Sequence, residues 1–301
     1  MSASHASAPV TASAASRNKG RLKLVLGFTS LYLVAEVVGG ILTKSLALLA
    51  DAGHMLTDVG GLAFALIAIR VGERAATERR TWGFYRAEIL SALANAVVLI
   101  FISLYILYEA YQRFQNPPEV ASKGMLIVAG IGLVVNIAGA LIIRSGSSES
   151  LNMKGAYFEV LSDLLTSVGV MIAGVIMLTT GWYYADPLIS AGIGLFILPR
   201  TWKLLREAVG VLLEGTPADV DIAAVRRTLA ETPGVGGVHD LHAWSLTSGS
   251  NALSAHVVAA DGVSYGEVLR AAHDRVVAAH PLAHVTIQVE PPGWERVETH
   301  V

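Results

Sequence analysis

Three ionisable residues interrupt an apolar stretch near position 50. Asp51, His54 and Asp58 are three and four residues apart, between Leu46–Leu49 and the uncharged run Leu62–Ile69. A helix places residues at this spacing on one face. Ionisable groups at membrane depth are energetically costly and usually face a bundle interior or a wet cavity, where they mark ion pathways. The pattern therefore predicts a polar stripe on a membrane-spanning helix.

A second apolar run carries the same arrangement, with Glu159 and Asp163 four residues apart. If the two helices face each other, His54, Asp58, Glu159 and Asp163 supply one imidazole and three carboxylates. We interpret this set as a site for a divalent metal ion, against the alternative of a histidine and an aspartate that only hydrogen-bond each other. Three more polar residues on the same faces are predicted to support the ligands: Asp51, Ser162 and Thr166.

Protons compete with metal at such a site, because carboxylate and imidazole ligands must be deprotonated before they bind. Binding therefore expels protons, and protonation expels metal. His54 is the natural proton carrier, since the ordinary pKa of imidazole, about 6.5, lies close to physiological pH.

Composition places the chain among membrane proteins. Hydrophobic residues make up 53% of its 301 residues and charged residues only 15%, which is typical of a polytopic membrane protein. A net charge of −2 gives no case for nucleic-acid binding. The chain has no cysteine, so any metal must be held by nitrogen and oxygen atoms.

Apolar windows long enough to span a bilayer recur six times after a Ser- and Ala-rich start, 1–20, that we expect to be disordered. Their predicted bounds are 22–43, 45–70, 87–111, 124–144, 153–180 and 184–205. Pro199 interrupts the sixth window, which we expect to continue out of the bilayer as an amphipathic helix. Lysine and arginine concentrate in the N-terminal tail, in alternate loops and after the sixth window. The positive-inside rule then predicts a multi-pass membrane protein with both termini cytoplasmic.

The last part of the chain has the character of a small soluble domain. The pattern predicts helices over 219–231 and 265–279 and strands over 235–246, 251–260 and 285–289. This αββαβ order favours an α+β domain with helices on one face of a sheet. The predicted organisation is a tail (1–20), a six-helix all-α transmembrane bundle (21–212), a cytoplasmic αββαβ domain (213–292) and a flexible end (293–301).

Several motifs together resemble the cation diffusion facilitators, the zinc-efflux family, and within it the bacterial zinc, cobalt and cadmium resistance exporters. They are Ser45–His54 with Asp58, Tyr85–Glu88, Asp163, Asp186-Pro187 and His239–Trp244. The resemblance implies a homodimeric metal/proton antiporter of the inner (plasma) membrane that works by alternating access. It also implies a ferredoxin- or metallochaperone-like cytoplasmic domain. Zn²⁺ is the expected main substrate, with Cd²⁺ and Co²⁺ also carried. No prosthetic group is implied.

The resemblance also implies that the cytoplasmic domain binds a regulatory metal through His239, His256 and Glu290. On a regular strand His239 and His242 point to opposite faces, so they cannot both bind one ion unless the strand has a bulge. Gln288 stands where some relatives have a histidine, which weakens the case for two metals in this domain.

Other features leave the interpretation open. Position 159 is Glu where many zinc-selective relatives have His, which leaves the choice of metal undecided. Glu36, Asn95 and Asn136 either line the ion path or form hydrogen bonds between helices. We expect Arg86 and Glu88 to form a structural ion pair.

Two other functions are considered. An intramembrane zinc hydrolase usually has a His-Glu-x-x-His pattern, whereas Met55 follows His54 and no predicted span contains a second histidine. A membrane-tethered metal sensor would use the spans only as an anchor, which does not explain acidic pairs buried in two different helices.

Overall fold

The computed structural model describes residues 19–72, 76–144, 151–247 and 249–293. Residues 1–18 of the predicted disordered tail and the predicted flexible end after residue 293 lie outside these residues. Lys19 and Gly20, which were predicted to belong to the tail, are helical. The chain divides into two compact units, one of residues 1–63 and 95–202 and the other of residues 64–94 and 203–301.

Six long helices occupy the described residues up to Leu212. They are α1 (Lys19–Thr43), α2 (Leu46–Gly72), α3 (Arg86–Gln115), α4 (Ser122–Arg144), α5 (Leu151–Thr180) and α6 (Ala185–Leu212). Five of them contain a stretch long and apolar enough to cross a membrane. The part of α2 whose side chains the structure describes contains a shorter apolar stretch, Leu46–Thr57. Helix α6 continues past Pro199, as expected.

The core of the first unit is made by small and medium apolar side chains on α2 to α6. Leu48, Met125, Val170 and Met177 are buried at its centre, and α4 packs against both α1 and α5. Large apolar side chains on the outer faces are exposed, Leu31 among them at 72%. An apolar exterior around a packed interior is what a bilayer requires of a helical bundle.

Asp186, in the first turn of α6, caps the start of α2. Its buried carboxylate accepts hydrogen bonds from the Ser45 hydroxyl (2.7 Å) and from the backbone N–H groups of Leu46 (2.8 Å) and Ala47 (3.2 Å). The first N–H groups of a helix have no partner within the helix, and negative charge is stabilised beside them. One carboxylate thus joins the beginnings of two helices.

Arg113, near the end of α3, joins the same cluster. Its guanidinium lies 3.5 Å from Asp186 and donates a hydrogen bond to the carbonyl oxygen of Lys44 at 2.6 Å. Lys44 follows α1 in the left-handed conformation (φ 60°), which ends that helix. The ends of α1 and α3 and the beginnings of α2 and α6 therefore meet at the ion pair of Asp186 and Arg113.

We predict that Asp186→Ala lowers the free energy of unfolding by about 3 kcal/mol, because it leaves Arg113 and the first N–H groups of α2 without their carboxylate. Asp186→Asn should lose less, since the amide oxygen still accepts a hydrogen bond. Thermal unfolding of the purified protein in detergent measures both. Glu119→Gln, an exposed carboxylate, is the matched control. Equal stability of Asp186→Ala and the wild type would contradict a structural role for this cluster.

The second unit contains an αββαβ domain, as predicted. Its elements are α7 (Ile222–Ala230), β1 (Val235–Thr247), β2 (Ser250–Ala259), α8 (Tyr265–Ala279) and β3 (His284–Glu290). The sheet order is β1-β2-β3, with β1 and β2 antiparallel and β2 and β3 parallel. Helix α8 provides the crossover that a parallel pair needs.

The two faces of this sheet differ in chemistry, because successive side chains of a strand alternate between faces. Leu253, Ala255 and Val257 of β2 pack against the apolar side of α8 in a buried core. Ser254 and His256 lie on the opposite face of the sheet, which we call the open face. Cross-strand pairing adds the following residues to the open face: His239, His242, Thr286 and Gln288.

The predicted pairing of Arg86 with Glu88 is wrong. Arg86 forms a 2.7 Å ion pair with Glu214, and Glu88 accepts a hydrogen bond from the hydroxyl of Thr247. Residues two apart on a helix do not face each other, so each of these side chains finds a partner elsewhere in the second unit.

Candidate metal sites

The predicted transport site has its described members on α2 and α5. His54 Nε2 lies 3.7 Å from Asp163 Oδ1, and the two side chains are only 4% and 7% exposed. An imidazole nitrogen and a carboxylate oxygen at this separation are close enough to bind the same metal ion. The structure therefore brings together one residue from each of the two predicted pairs.

Asp58 and Glu159 lie on the same two helices, each four residues from its predicted fellow ligand. Their side chains are outside those that the structure describes. Their assignment as ligands stays a prediction from sequence and helical spacing.

Asp51 connects the same two helices through hydrogen bonds. The hydroxyl of Thr166 donates to Asp51 Oδ1 at 2.6 Å, and the hydroxyl of Ser167 lies 3.5 Å from Oδ2. Asn136 of α4 donates to Ser167 at 3.1 Å. Thr166 and Asp51 thus join α5 to α2, and Ser162 is half-buried on α5. The role of all three in supporting the ligands stays a prediction.

Glu36 extends this polar network to α1. It is fully buried, accepts a 2.9 Å hydrogen bond from the hydroxyl of Tyr32 and lies near the carboxylate of Asp51. Gly132 of α4 makes room for Tyr32, because a Cβ there would lie 2.0 Å from the phenol oxygen. Sequence reasoning named Glu36 and Asn136 without deciding their roles, and it missed Tyr32. Asn95 is half-buried on α3.

The second candidate site lies on the open face of the cytoplasmic sheet. His239, His256 and Glu290 can each offer one ligand atom, with all three atoms within 4.8 Å of one another. His239 Nε2 is 2.9 Å from one Glu290 oxygen, and His256 Nδ1 is 3.1 Å from the other. Two imidazoles and a carboxylate suit Zn²⁺ with one position left for water or another ligand. Gln288 donates a hydrogen bond to Glu290 at 2.8 Å, which orients that carboxylate.

A β-bulge changes the expectation for His242. The pairing of β1 with β2 shifts between His239 and His242, so both histidines are on the open face. His242 Nε2 lies 2.7 Å from Asp240 Oδ1, and its hydrogen bond lowers the pKa of that carboxyl below its ordinary value. Regular strand alternation could not reveal this, because the bulge follows from the pairing of two strands.

Comparison with known proteins shows which family has this arrangement of helices followed by a small α+β domain. Residues 22–213 match the cation efflux transmembrane domain, and residues 217–292 match the cytoplasmic domain of cation efflux proteins. The chain belongs to the cation efflux family. It is therefore a multi-pass membrane protein and a metal-cation transporter rather than an enzyme, which excludes the intramembrane hydrolase.

Curated members of the cation efflux family resemble the chain over almost its whole length. It is 50% identical over 282 residues to the metal cation efflux system protein CzcD of Cupriavidus metallidurans, covering 93% of this chain and 89% of the relative. It is 44% identical to the cadmium, cobalt and zinc/H(+)-K(+) antiporter of Bacillus subtilis, covering 91% and 90%. It is 40% identical to the zinc transporter ZitB of Escherichia coli, covering 91% and 88%. The resemblance and the fold class predicted from the sequence are confirmed.

We predict that Asp58→Ala and Asp163→Ala each reduce metal transport to background, because each removes one of the four predicted ligands. Asp163→Asn should fail in the same way, since an amide keeps the shape and loses the negative charge. Metal flux into proteoliposomes measures the effect, and size-exclusion chromatography checks that the variants stay folded. Near-normal flux in both alanine variants would contradict the site.

Proposed function

We propose that the chain exports divalent cations, chiefly Zn²⁺ together with Cd²⁺ and Co²⁺, in exchange for protons by alternating access. The observation that carries the proposal is the buried His54–Asp163 pair, 3.7 Å apart on two different membrane helices. Flux of metal into sealed vesicles is the direct test, because only a transporter moves metal into the lumen. A membrane-tethered sensor would leave this pair without a role.

The full transport site is proposed to be His54, Asp58, Glu159 and Asp163. With the three carboxylates ionised, a bound dication leaves about one net negative charge at membrane depth. The low dielectric constant there strengthens the attraction between the carboxylates and the ion. Such a site would hold its ion firmly unless protons displaced it. Asp51 and Thr166 support it by joining the two helices that carry the ligands. The name of the Bacillus subtilis relative, which includes protons, supports the exchange.

The proposed regulatory site in the cytoplasmic domain is His239, His256 and Glu290. Its support is the close approach of their ligand atoms on the face of the sheet opposite the apolar core. We also propose that the chain acts as a homodimer in the inner membrane, with both termini cytoplasmic. The distribution of basic residues supports this orientation.

Exchange with protons predicts that metal uptake into inside-out vesicles speeds up when the lumen is acidic. Protonation of His54 and its carboxylates from the lumen then releases the metal and resets the site. The membrane potential should be held fixed, with K⁺ equal on both sides, so that only the proton gradient varies. Uptake that ignores this gradient would contradict antiport and favour a passive channel.

Glu159 is predicted to set the breadth of metal selectivity. Carboxylates also accept harder ions such as Mn²⁺, whereas imidazole favours Zn²⁺, Cu²⁺ and Ni²⁺. Glu159→His should therefore narrow transport towards Zn²⁺ and shift its pH dependence, because an imidazole replaces a carboxylate. Flux of Zn²⁺, Cd²⁺, Co²⁺ and Mn²⁺ should be compared in both forms between about pH 6 and pH 8, on either side of the ordinary imidazole pKa. Identical profiles would remove Glu159 from the site and make Asp51 the next candidate.

A further inference from the structure

The bulge in β1 holds Asp240 in an unusual backbone conformation. From His239 to His242, β1 advances three residues while β2 advances two, from His256 to Ser254. Asp240 has φ +46°, in the left-handed region that non-glycine residues seldom occupy. Backbone strain of this kind clusters at functional sites. The bulge thereby places the Asp240 side chain beside two histidines of the sheet.

The Asp240 carboxylate lies between two imidazoles on the open face of the sheet. One oxygen is 2.7 Å from His242 Nε2, and the other is 3.5 Å from His256 Nε2. The second ring nitrogen of His256, Nδ1, is 3.1 Å from Glu290. The two nitrogens of His256 thus face different carboxylates, one inside the proposed three-residue metal site and one outside it.

We propose that Asp240 is the positioning residue of the cytoplasmic metal site, fixing the His256 ring so that Nδ1 binds the metal. A carboxylate beside Nε2 favours a proton on that nitrogen, which leaves the lone pair of Nδ1 for the ion. Histidine ligands commonly direct their other ring nitrogen at a carboxylate, which orients the ring and makes it a stronger ligand. His242 holds the Asp240 side chain in place through its shorter contact. The inference rests on the proposed site of His239, His256 and Glu290.

Three substitutions separate the carboxylate from the backbone that carries it. Asn and Gly both tolerate a left-handed conformation, so Asp240→Asn and Asp240→Gly keep the bulge and remove the charge. Asp240→Ala removes the charge and also disfavours the bulge. If the bulge alone mattered, the Asn and Gly variants would bind metal normally and only the Ala variant would fail. A positioning carboxylate requires all three to bind weakly.

The experiment is a Zn²⁺ titration, with a competing chelator, of the full-length protein in detergent. An Asp163→Ala background disables the proposed transport site, so that binding reports on the cytoplasmic domain. We expect Asp240→Asn and Asp240→Gly to weaken binding about 10- to 100-fold without changing the number of ions bound. Asp261→Asn, an exposed aspartate of the same domain, should bind like the parent.

Three results would contradict the positioning role of Asp240 or the metal site on which it depends. Unchanged affinity in both the Asn and the Gly variants would overturn the positioning role. Loss of one bound ion, rather than weaker binding, would overturn it as well, because Asp240 would then be a ligand. His239→Ala tests the underlying site separately: if it leaves Zn²⁺ binding intact, the proposed three-residue site is wrong whatever the Asp240 variants show.

Discussion

The cost of burying ionisable groups among membrane helices constrains the whole first unit. With no water to satisfy them, polar groups at membrane depth must find partners within the protein. Glu36 accepts a hydrogen bond from Tyr32, Asp51 accepts one from Thr166, and Asp163 lies beside His54. The first contact lies within α1. The other two require that the polar face of α2 meet the polar face of α5.

Two buried aspartates illustrate how surroundings assign different roles to one residue type. Asp186 is saturated by a hydroxyl, two backbone N–H groups and the guanidinium of Arg113, so it acts as a cap and an ion-pair partner. Asp163 lies within α5, where the helix satisfies its own N–H groups, and its described neighbour is an imidazole. The first arrangement stabilises helix ends, and the second is suited to exchange a cation for protons.

The two faces of the cytoplasmic sheet carry different side chains, because successive residues of a strand point to opposite faces. Alternation along β2 sends Leu253, Ala255 and Val257 into the core beneath α8 and leaves Ser254 and His256 on the other side. The domain core and the candidate metal site are therefore built from the same strand without competing for space. The bulge at Asp240 adds His242 to the open face without disturbing the core pairs on either side.

Six apolar helices, an αββαβ domain and two pairs of ligand-type residues could be predicted from the amino-acid sequence. These follow from hydropathy and from helix and strand periods, which are local properties of the chain. The approach of His54 to Asp163, the link from Thr166 to Asp51, and the partners of Arg86 and Glu88 depended on tertiary structure. So did the placement of His242, because a bulge exists only where two strands pair. Periodicity fixes which face of an element a residue occupies, and only packing decides what that face meets.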